Sequence, residues 1–176
     1  MTVKKKGITL IELIIAMAIL FIVLSVISSF FFTNYKTLNL VNKDLELQSQ
    51  GEKVINFMVD NIIDGYSVLE VVDIADDKDK KAESKEISIK RLSIQRLKAG
   101  GEKYKFELEG NALNFYKGEE GKKEICNDVS TIILTPLPLK KSFIDCKGVR
   151  IEIKLKLDKV EKKFVNEIYL RNKEIN

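Results

Sequence analysis

The sequence of 176 residues contains no histidine, only two cysteines and only two prolines. Without histidine there is no imidazole for a Ser-His-Asp triad, for acid–base catalysis near neutral pH or for a metal ligand. Two cysteines cannot build a four-ligand structural zinc site within one chain. The sequence also lacks Gly-rich phosphate loops of the GxxxxGK[ST] and GxGxxG kinds. We therefore expect no catalytic residues, no metal site and no cofactor.

Charged residues are abundant but unevenly placed. Asp, Glu, Lys and Arg make up 32% of the chain, yet residues 1–32 hold only the three lysines at 4–6 and Glu12. Residues 8–32 are apolar almost throughout, and Glu12 is their one charge. As a helix, this segment would be about 37 Å long at ~1.5 Å per residue, which is enough to cross a hydrocarbon core of about 30 Å.

The position of the lysines predicts the topology of this membrane span. Lysines before an apolar segment favour a cytoplasmic N-terminus and export of the remainder. An ordinary secretory signal has a shorter apolar region and ends in a small-residue cleavage site, which residues 29–32 (SFFF) do not provide. An uncleaved signal anchor is one interpretation. It explains Glu12 only if the carboxylate reaches the headgroups, since a charge inside a membrane helix normally has a partner.

Residues 6–13 (KGITLIEL) combine the end of a basic leader, a glycine, and an apolar helix with glutamate at its fifth position. This combination resembles the signal of type IV pilins and pseudopilins. In that family a prepilin peptidase cleaves after the glycine and methylates the new N-terminus. Because glycine has no Cβ, the enzyme can approach the backbone closely at this point. The resemblance implies cleavage between Gly7 and Ile8, N-methylation of Ile8, and pairing of Glu12 with the N-terminal amine of a neighbouring subunit to set the assembly register.

Two features depart from the common pattern of that family. Ile8 stands where Phe or Met is more usual, and Ser28 and Ser29 occupy the region where major pilins usually carry a proline. Both departures fit a minor pilin or pseudopilin better than the main fibre subunit. The implied partners are other pilins or pseudopilins, the prepilin peptidase, a platform membrane protein and an assembly ATPase. The implied location is a single pass through the inner (cytoplasmic) membrane, then a pilus or pseudopilus at the cell surface, at the tip or initiation complex.

Helical periodicity continues beyond the membrane segment. Apolar residues follow spacings of three and four from Leu38 to Ile62, with a slip around residues 48–51. Gly65 suits a left-handed helix cap, so the sequence predicts one helix over residues 8–63. Its second half, within residues 33–64, is amphipathic.

After residue 86 the apolar period changes to two, which is typical of strands with one wet face. Predicted strands lie around residues 87–94, 104–108, 113–115, 129–134, 149–157 and 164–170, with turns at 110–111, 118–121 and 159–163. The predicted fold class is α+β, a long N-terminal helix packed on an antiparallel β-sheet, as in pilins. The predicted organisation is a leader peptide at 1–7, a transmembrane or filament-core helix at 8–32, an amphipathic helix half at 33–64 and an extracytoplasmic sheet domain at 65–176.

Two sequence features raise the question of a bound ion or a cross-link. Residues 73–86 (DIADDKDKKAESKE) are rich in carboxylates, but an EF-hand loop needs Gly at its sixth and Glu at its twelfth position, so a solvated, mobile loop is favoured. Cys126 and Cys146 lie 20 residues apart. Export favours a disulfide between them, which would stabilise the fold by roughly 3 kcal/mol; two free thiols are the alternative.

Weaker patterns bear on the subclass and on a second function. Residues 54–64 (VINFMVDNIID) and 165–172 (VNEIYLRN) resemble J-type minor pseudopilins of type II secretion, although residues 170–172 could simply end an edge strand. Basic clusters at 140–141 and 159–163 raise DNA as a partner, but interleaved acidic residues nearly cancel the positive field. The first interpretation is a minor subunit of a type IV pilus, competence pilus or type II secretion pseudopilus. The alternative is an uncleaved single-pass membrane protein with an extracytoplasmic ligand- or DNA-binding domain.

Overall fold

The chain is an α+β protein, as the sequence predicts. A computed structural model describes residues 9–96, 101–118 and 120–173. Within these residues one helix is followed by eight strands: α1 (Leu10–Ile62), β1 (Ser67–Asp73), β2 (Ile87–Gln95), β3 (Lys103–Glu109), β4 (Ala112–Lys117), β5 (Lys123–Cys126), β6 (Val129–Leu137), β7 (Gly148–Leu157) and β8 (Val160–Tyr169).

The chain divides between Asn42 and Lys43 into two units, and α1 contributes to both. In the first unit every described side chain is exposed. In the second unit α1 buries one face, whose fully covered residues are Leu47, Val54, Met58 and Ile62. Their spacings of seven and four confirm the predicted amphipathic periodicity in this part of the helix.

The C-terminal end of α1 is fixed by the residues that follow the last described strand, β8. The backbone N–H of Arg171 donates to the Ile63 carbonyl over 2.8 Å, and the Asn172 amide donates to the Asp64 carbonyl over 2.7 Å. The Arg171 guanidinium pairs with the Asp64 carboxylate at 3.2 Å. The last turn of α1 has no basic residue of its own, so Arg171 supplies the positive charge that a helix C-terminus favours. Arg171 and Asn172, which follow the end of β8 at Tyr169, thus cap the helix.

All strand pairs of the curled sheet are antiparallel, in the order β5-β4-β3-β2-β6-β7-β8, with β1 also paired to β2. The inward side chains of the strands form one core with the buried face of α1. Phe57 of α1 packs edge-on against two sheet residues, with ring centroids 6.4 Å from Phe106 and 5.0 Å from Phe115. These aromatic contacts join the helix to the sheet.

Three details of the sheet differ from the prediction. The sequence pattern does not predict β1, whose alternation is broken by register shifts, or β5, which is only 4 residues long. The turn predicted at residues 159–163 is also wrong in extent, because β8 begins at Val160 and the turn centres on Asp158, with φ +54°. The charges early in β8 are tolerated because Lys162 lies against α1, where it pairs with Asp44 at 3.0 Å.

The carboxylates of the β1–β2 connection cap its own turns. Asp73 accepts a hydrogen bond from the Ala75 N–H, and Asp76 accepts one from the Lys78 N–H. Asp79 accepts from the N–H groups of Val71 and Lys81, at 3.1 and 3.0 Å. Short acidic side chains often satisfy turn amides in this way. Across the described ranges of the chain, no cluster of three or more candidate ligands is placed to hold a metal ion.

Gly51 explains the slip in the helical pattern around residues 48–51. The ring of Phe164 lies directly on the helix backbone at this point, and a Cβ on Gly51 would come within 2.0 Å of the ring. Only glycine permits this contact without displacing Phe164. The helix therefore interrupts its apolar stripe where an aromatic side chain from β8 fills the space.

We expect Gly51→Leu to lower the free energy of unfolding by about 2 kcal/mol, because inserting atoms into a packed contact costs about 1–3 kcal/mol. Denaturant unfolding of the full chain in detergent would measure the loss. The double variant Gly51→Leu/Phe164→Ala is the control, and its destabilisation should be smaller than the sum of the two single effects. Strict additivity would show that Gly51 and Phe164 do not interact.

Candidate assembly site at the helix N-terminus

The site predicted around Glu12 is built on the first turn of α1. The backbone N–H and the hydroxyl of Thr9 both donate to Oε2 of Glu12, over 2.8 and 2.9 Å. In return, the backbone N–H of Glu12 donates to Oγ1 of Thr9 over 3.4 Å. This reciprocal arrangement is a capping box, which satisfies amides that the first helical turn leaves without a partner. The negative charge of Glu12 also suits the positive end of the helix dipole.

The capping box gives Glu12 a partner within its own chain. The prediction from the sequence includes Glu12 but not Thr9, although the T-x-x-E spacing is the recognised signal for this motif. Gly7 and Ile8, the residues predicted to flank the cleavage, lie outside the described residues. Their roles therefore remain predictions.

The helix surface that follows Glu12 is apolar and uncovered. α1 is long and apolar enough to cross a membrane, and none of its most apolar stretch is buried. Two of its polar side chains bond to the helix itself: the hydroxyl of Ser25 donates to the Ile22 carbonyl and that of Thr33 to the Ser29 carbonyl. Internal satisfaction of polar groups is what a lipid environment requires. An apolar surface of this extent is stable only against lipid or other helices.

In the second unit, the β7–β8 turn holds the part of α1 that begins at Lys43. Lys43 forms an ion pair with Asp158 in the turn, and the contact lowers the pKa of the Asp158 carboxyl through a hydrogen bond and charge attraction. Lys162 of β8 donates to Gln48 of α1 over 3.0 Å and pairs with Asp44. Exposed ion pairs contribute little free energy. The shared core holds the helix against the sheet, and the ion pairs only mark where the helix lies beside β8.

The structure does not bring together the cysteines for which a disulfide is predicted. Both thiols are free and buried. The Cys126 thiol donates to Oε1 of Gln50 over 3.2 Å, whereas the Cys146 thiol donates to the Phe143 carbonyl over 3.1 Å. The two residues therefore have separate surroundings.

The strand β7 explains the separation of the cysteines. Lys156, near its end, donates to the Asp128 carbonyl, two residues after Cys126. Cys146 lies two residues before its start. The strand has 10 residues, and at ~3.3 Å per residue it is about 33 Å long. A disulfide needs Cα atoms about 4.4–6.8 Å apart, so the fold as described has no place for this bond.

We expect both thiols to react with a thiol reagent at least about tenfold more slowly in the folded chain than in denaturant. Burial raises the pKa of both thiols and so reduces the fraction present as the reactive thiolate. Thiol counting with and without denaturant would test this. A Leu139→Cys variant is the control, because Leu139 is 61% exposed and its replacement should react at once. Finding no free thiol in denaturant without reductant would contradict the structure and support the predicted disulfide between Cys126 and Cys146.

The fold and the N-terminal site define a class of protein: a pilin-like α+β chain whose long helix begins with an apolar stretch that is left uncovered. The comparison with family models gives a more specific result, since residues 3–28 match the prokaryotic N-terminal methylation motif. The chain therefore carries the type IV prepilin-like signal, which supports a pilin- or pseudopilin-like protein. The searches of curated proteins and of solved structures found no match.

The methylation motif bears on the processing, assembly and location of the chain. It indicates a structural subunit rather than an enzyme, and it implies peptidase processing and assembly with pilins or pseudopilins in general. Together with the apolar helix, it fits anchoring in a membrane and a place in a surface pilus. Because the match covers residues 3–28 alone, it says nothing about the role of the sheet.

Proposed function

We propose that the chain is a minor pilin or pseudopilin, assembled with related subunits into a type IV pilus, a competence pilus or a type II secretion pseudopilus. The observation that carries the proposal is the prepilin-type motif at residues 3–28, at the start of a helix whose most apolar stretch is not buried. In a filament, the neighbouring helices would provide that cover. The departures at Ile8, Ser28 and Ser29 support a minor subunit, at the tip or initiation complex.

The proposed subunit has four parts with different tasks. Residues 1–7 are the leader that the peptidase removes, and residues 8–32 span the membrane before they enter the filament core. Residues 33–64 carry the amphipathic half of the helix, and residues 65–176 form the extracytoplasmic domain. The sheet of this domain, which shares its core with α1, would contact neighbouring subunits.

Processing would change the electrostatics of the N-terminus. Cleavage between Gly7 and Ile8 removes the three lysines at 4–6 and creates an α-amino cation, which the peptidase methylates on Ile8. The cation needs an anionic partner in an apolar filament core, and Glu12 is the one carboxylate within residues 8–32. A charge that is favourable only when paired sets a register between subunits more than it adds stability. Glu12 would then exchange its contacts with Thr9 for the amine of a neighbour.

The proposed location follows from the processing. The chain would first cross the inner (cytoplasmic) membrane once, with the prepilin peptidase acting on the cytoplasmic side. A platform membrane protein and an assembly ATPase would then move it into the fibre at the cell surface. DNA is a weaker candidate partner, since acidic residues lie among the basic clusters.

N-terminal sequencing and intact-mass measurement of the chain from peptidase-positive cells would test the proposed processing. We expect the chain to begin at Ile8 and to carry the additional mass of one methyl group. A Gly7→Leu variant should remain uncleaved, whereas Gly121→Ala, at an open site in the sheet domain, should be processed normally. A wild-type chain that still begins at Met1 or Thr2 would support the alternative, an uncleaved single-pass membrane protein with a ligand- or DNA-binding domain.

A further inference from the structure

An aromatic cluster lies where the apolar segment of α1 ends. Phe30, Phe31, Phe32 and Tyr35 are 61–67% exposed. The ammonium group of Lys36 lies 4.3 Å from the centroid of the Phe32 ring. An apolar groove of about 480 Å³ follows the helix surface here, lined by Phe30, Phe31, Asn34, Tyr35 and Leu38. Bulky aromatic side chains and a lysine therefore share about two turns of an exposed helix.

The helix changes from apolar to polar at the same place. Beyond Phe32 the side chains of Asn34 and Thr37 donate to helix carbonyls, at 2.9 Å to Phe30 and 3.1 Å to Thr33. Aromatic rings with a polar end concentrate at the boundary between hydrocarbon and headgroups. A lysine beside them can extend its ammonium to lipid phosphates while its stem stays in the apolar layer.

We propose that Phe32, Tyr35 and Lys36 form a headgroup belt that binds the extracytoplasmic surface of the membrane and fixes the depth of the helix. The occupant is the lipid interface: phosphate groups on Lys36, and the glycerol region against Phe32 and Tyr35. The inference rests on the membrane anchoring within the proposed function. It adds where the membrane ends and which residues determine that position.

The belt also assigns a place to Glu12. Phe32 follows Glu12 by 20 residues, which is about 30 Å along a helix and matches a hydrocarbon core of about 30 Å. With Phe32 at the outer boundary, Glu12 reaches the inner boundary, and its capping box with Thr9 lies at the cytoplasmic headgroups. The carboxylate is therefore not held in the middle of the bilayer, where Ile22 lies instead. The two charges Glu12 and Lys36 bracket the hydrocarbon from opposite sides.

The sequence contains no tryptophan, so a single introduced one reports depth without background. Tyr35→Trp and Ile22→Trp variants of the full chain would be reconstituted in phosphatidylcholine–phosphatidylglycerol vesicles brominated either near the headgroups or deep in the acyl chains. We expect shallow bromines to quench the Tyr35→Trp variant several-fold more than deep ones. The order should reverse for the Ile22→Trp variant.

The role of the belt is tested by replacing two of its three residues, Phe32 and Lys36. Adding Phe32→Ala and Lys36→Ala to the Ile22→Trp variant should shift its quenching toward the shallow bromines, whereas Leu45→Ala, an exposed change in the second unit, should leave the quenching unchanged. Preferential deep quenching of Tyr35→Trp, or no shift on removing Phe32 and Lys36, would overturn the belt while leaving insertion intact. No quenching of Ile22→Trp in any vesicle would instead contradict membrane anchoring, and with it the proposed function.

Discussion

Replacing Glu12 by Val is expected to reduce incorporation of the subunit into fibres by at least about tenfold while leaving membrane insertion unimpaired. Without the Glu12 carboxylate, the α-amino cation of a neighbouring subunit would be left unpaired within the helix bundle. An uncompensated charge in such surroundings is strongly destabilising. Insertion would not suffer, because valine is more compatible with lipid than a carboxylate. The measurement is the fraction of the chain in sheared fibres relative to the membrane fraction.

Glu12→Val removes a charge and a helix cap together, and two further variants separate these effects. Glu12→Gln can keep the capping box, since glutamine serves at this position, but it removes the charge. Thr9→Val removes the cap and keeps the charge. If registry depends on the charge, Glu12→Gln should fail to assemble almost as completely as Glu12→Val, whereas Thr9→Val should retain most assembly. Normal incorporation of Glu12→Gln would refute the proposed registry role.

Replacing Phe106 by Ala is expected to lower the free energy of unfolding by about 3–5 kcal/mol, the range measured for large aromatic side chains removed from a core. Phe106 is 1% exposed and packs against both Phe57 of α1 and Phe115 of β4, the latter with ring centroids 5.0 Å apart. Its removal would leave a cavity at the junction of helix and sheet. Denaturant unfolding of the full chain in detergent, followed by near-ultraviolet circular dichroism, would report the loss.

The control for this prediction lies on the exposed side of the sheet. Lys156→Ala removes an exposed side chain from β7 and should change the free energy of unfolding by less than about 0.5 kcal/mol. Phe106→Leu should fall between the two, since most of the buried volume is kept. Equal stability of Phe106→Ala and Lys156→Ala would mean that the contacts among Phe57, Phe106 and Phe115 do not hold α1 to the sheet.

The sequence alone predicts the features of this protein that depend on local pattern. The apolar run at 8–32, its preceding lysines and Glu12 predict a membrane helix with a prepilin-type signal, and the matching family motif bears out the signal. The alternation in β7, whose Val149, Ile151, Ile153 and Leu155 are fully buried, predicts a strand correctly. Periodicity reveals these elements because each side chain's environment follows from its neighbours in the chain.

Only the tertiary structure decided which distant residues meet. It placed Phe164 on Gly51, joined Arg171 to the end of α1, and separated Cys126 from Cys146 along the length of β7. Spacing in the sequence could not determine these contacts, because they depend on strand order and on how the helix crosses the sheet. Thr9 is the instructive exception: its contact with Glu12 is local, and the T-x-x-E spacing already contained it.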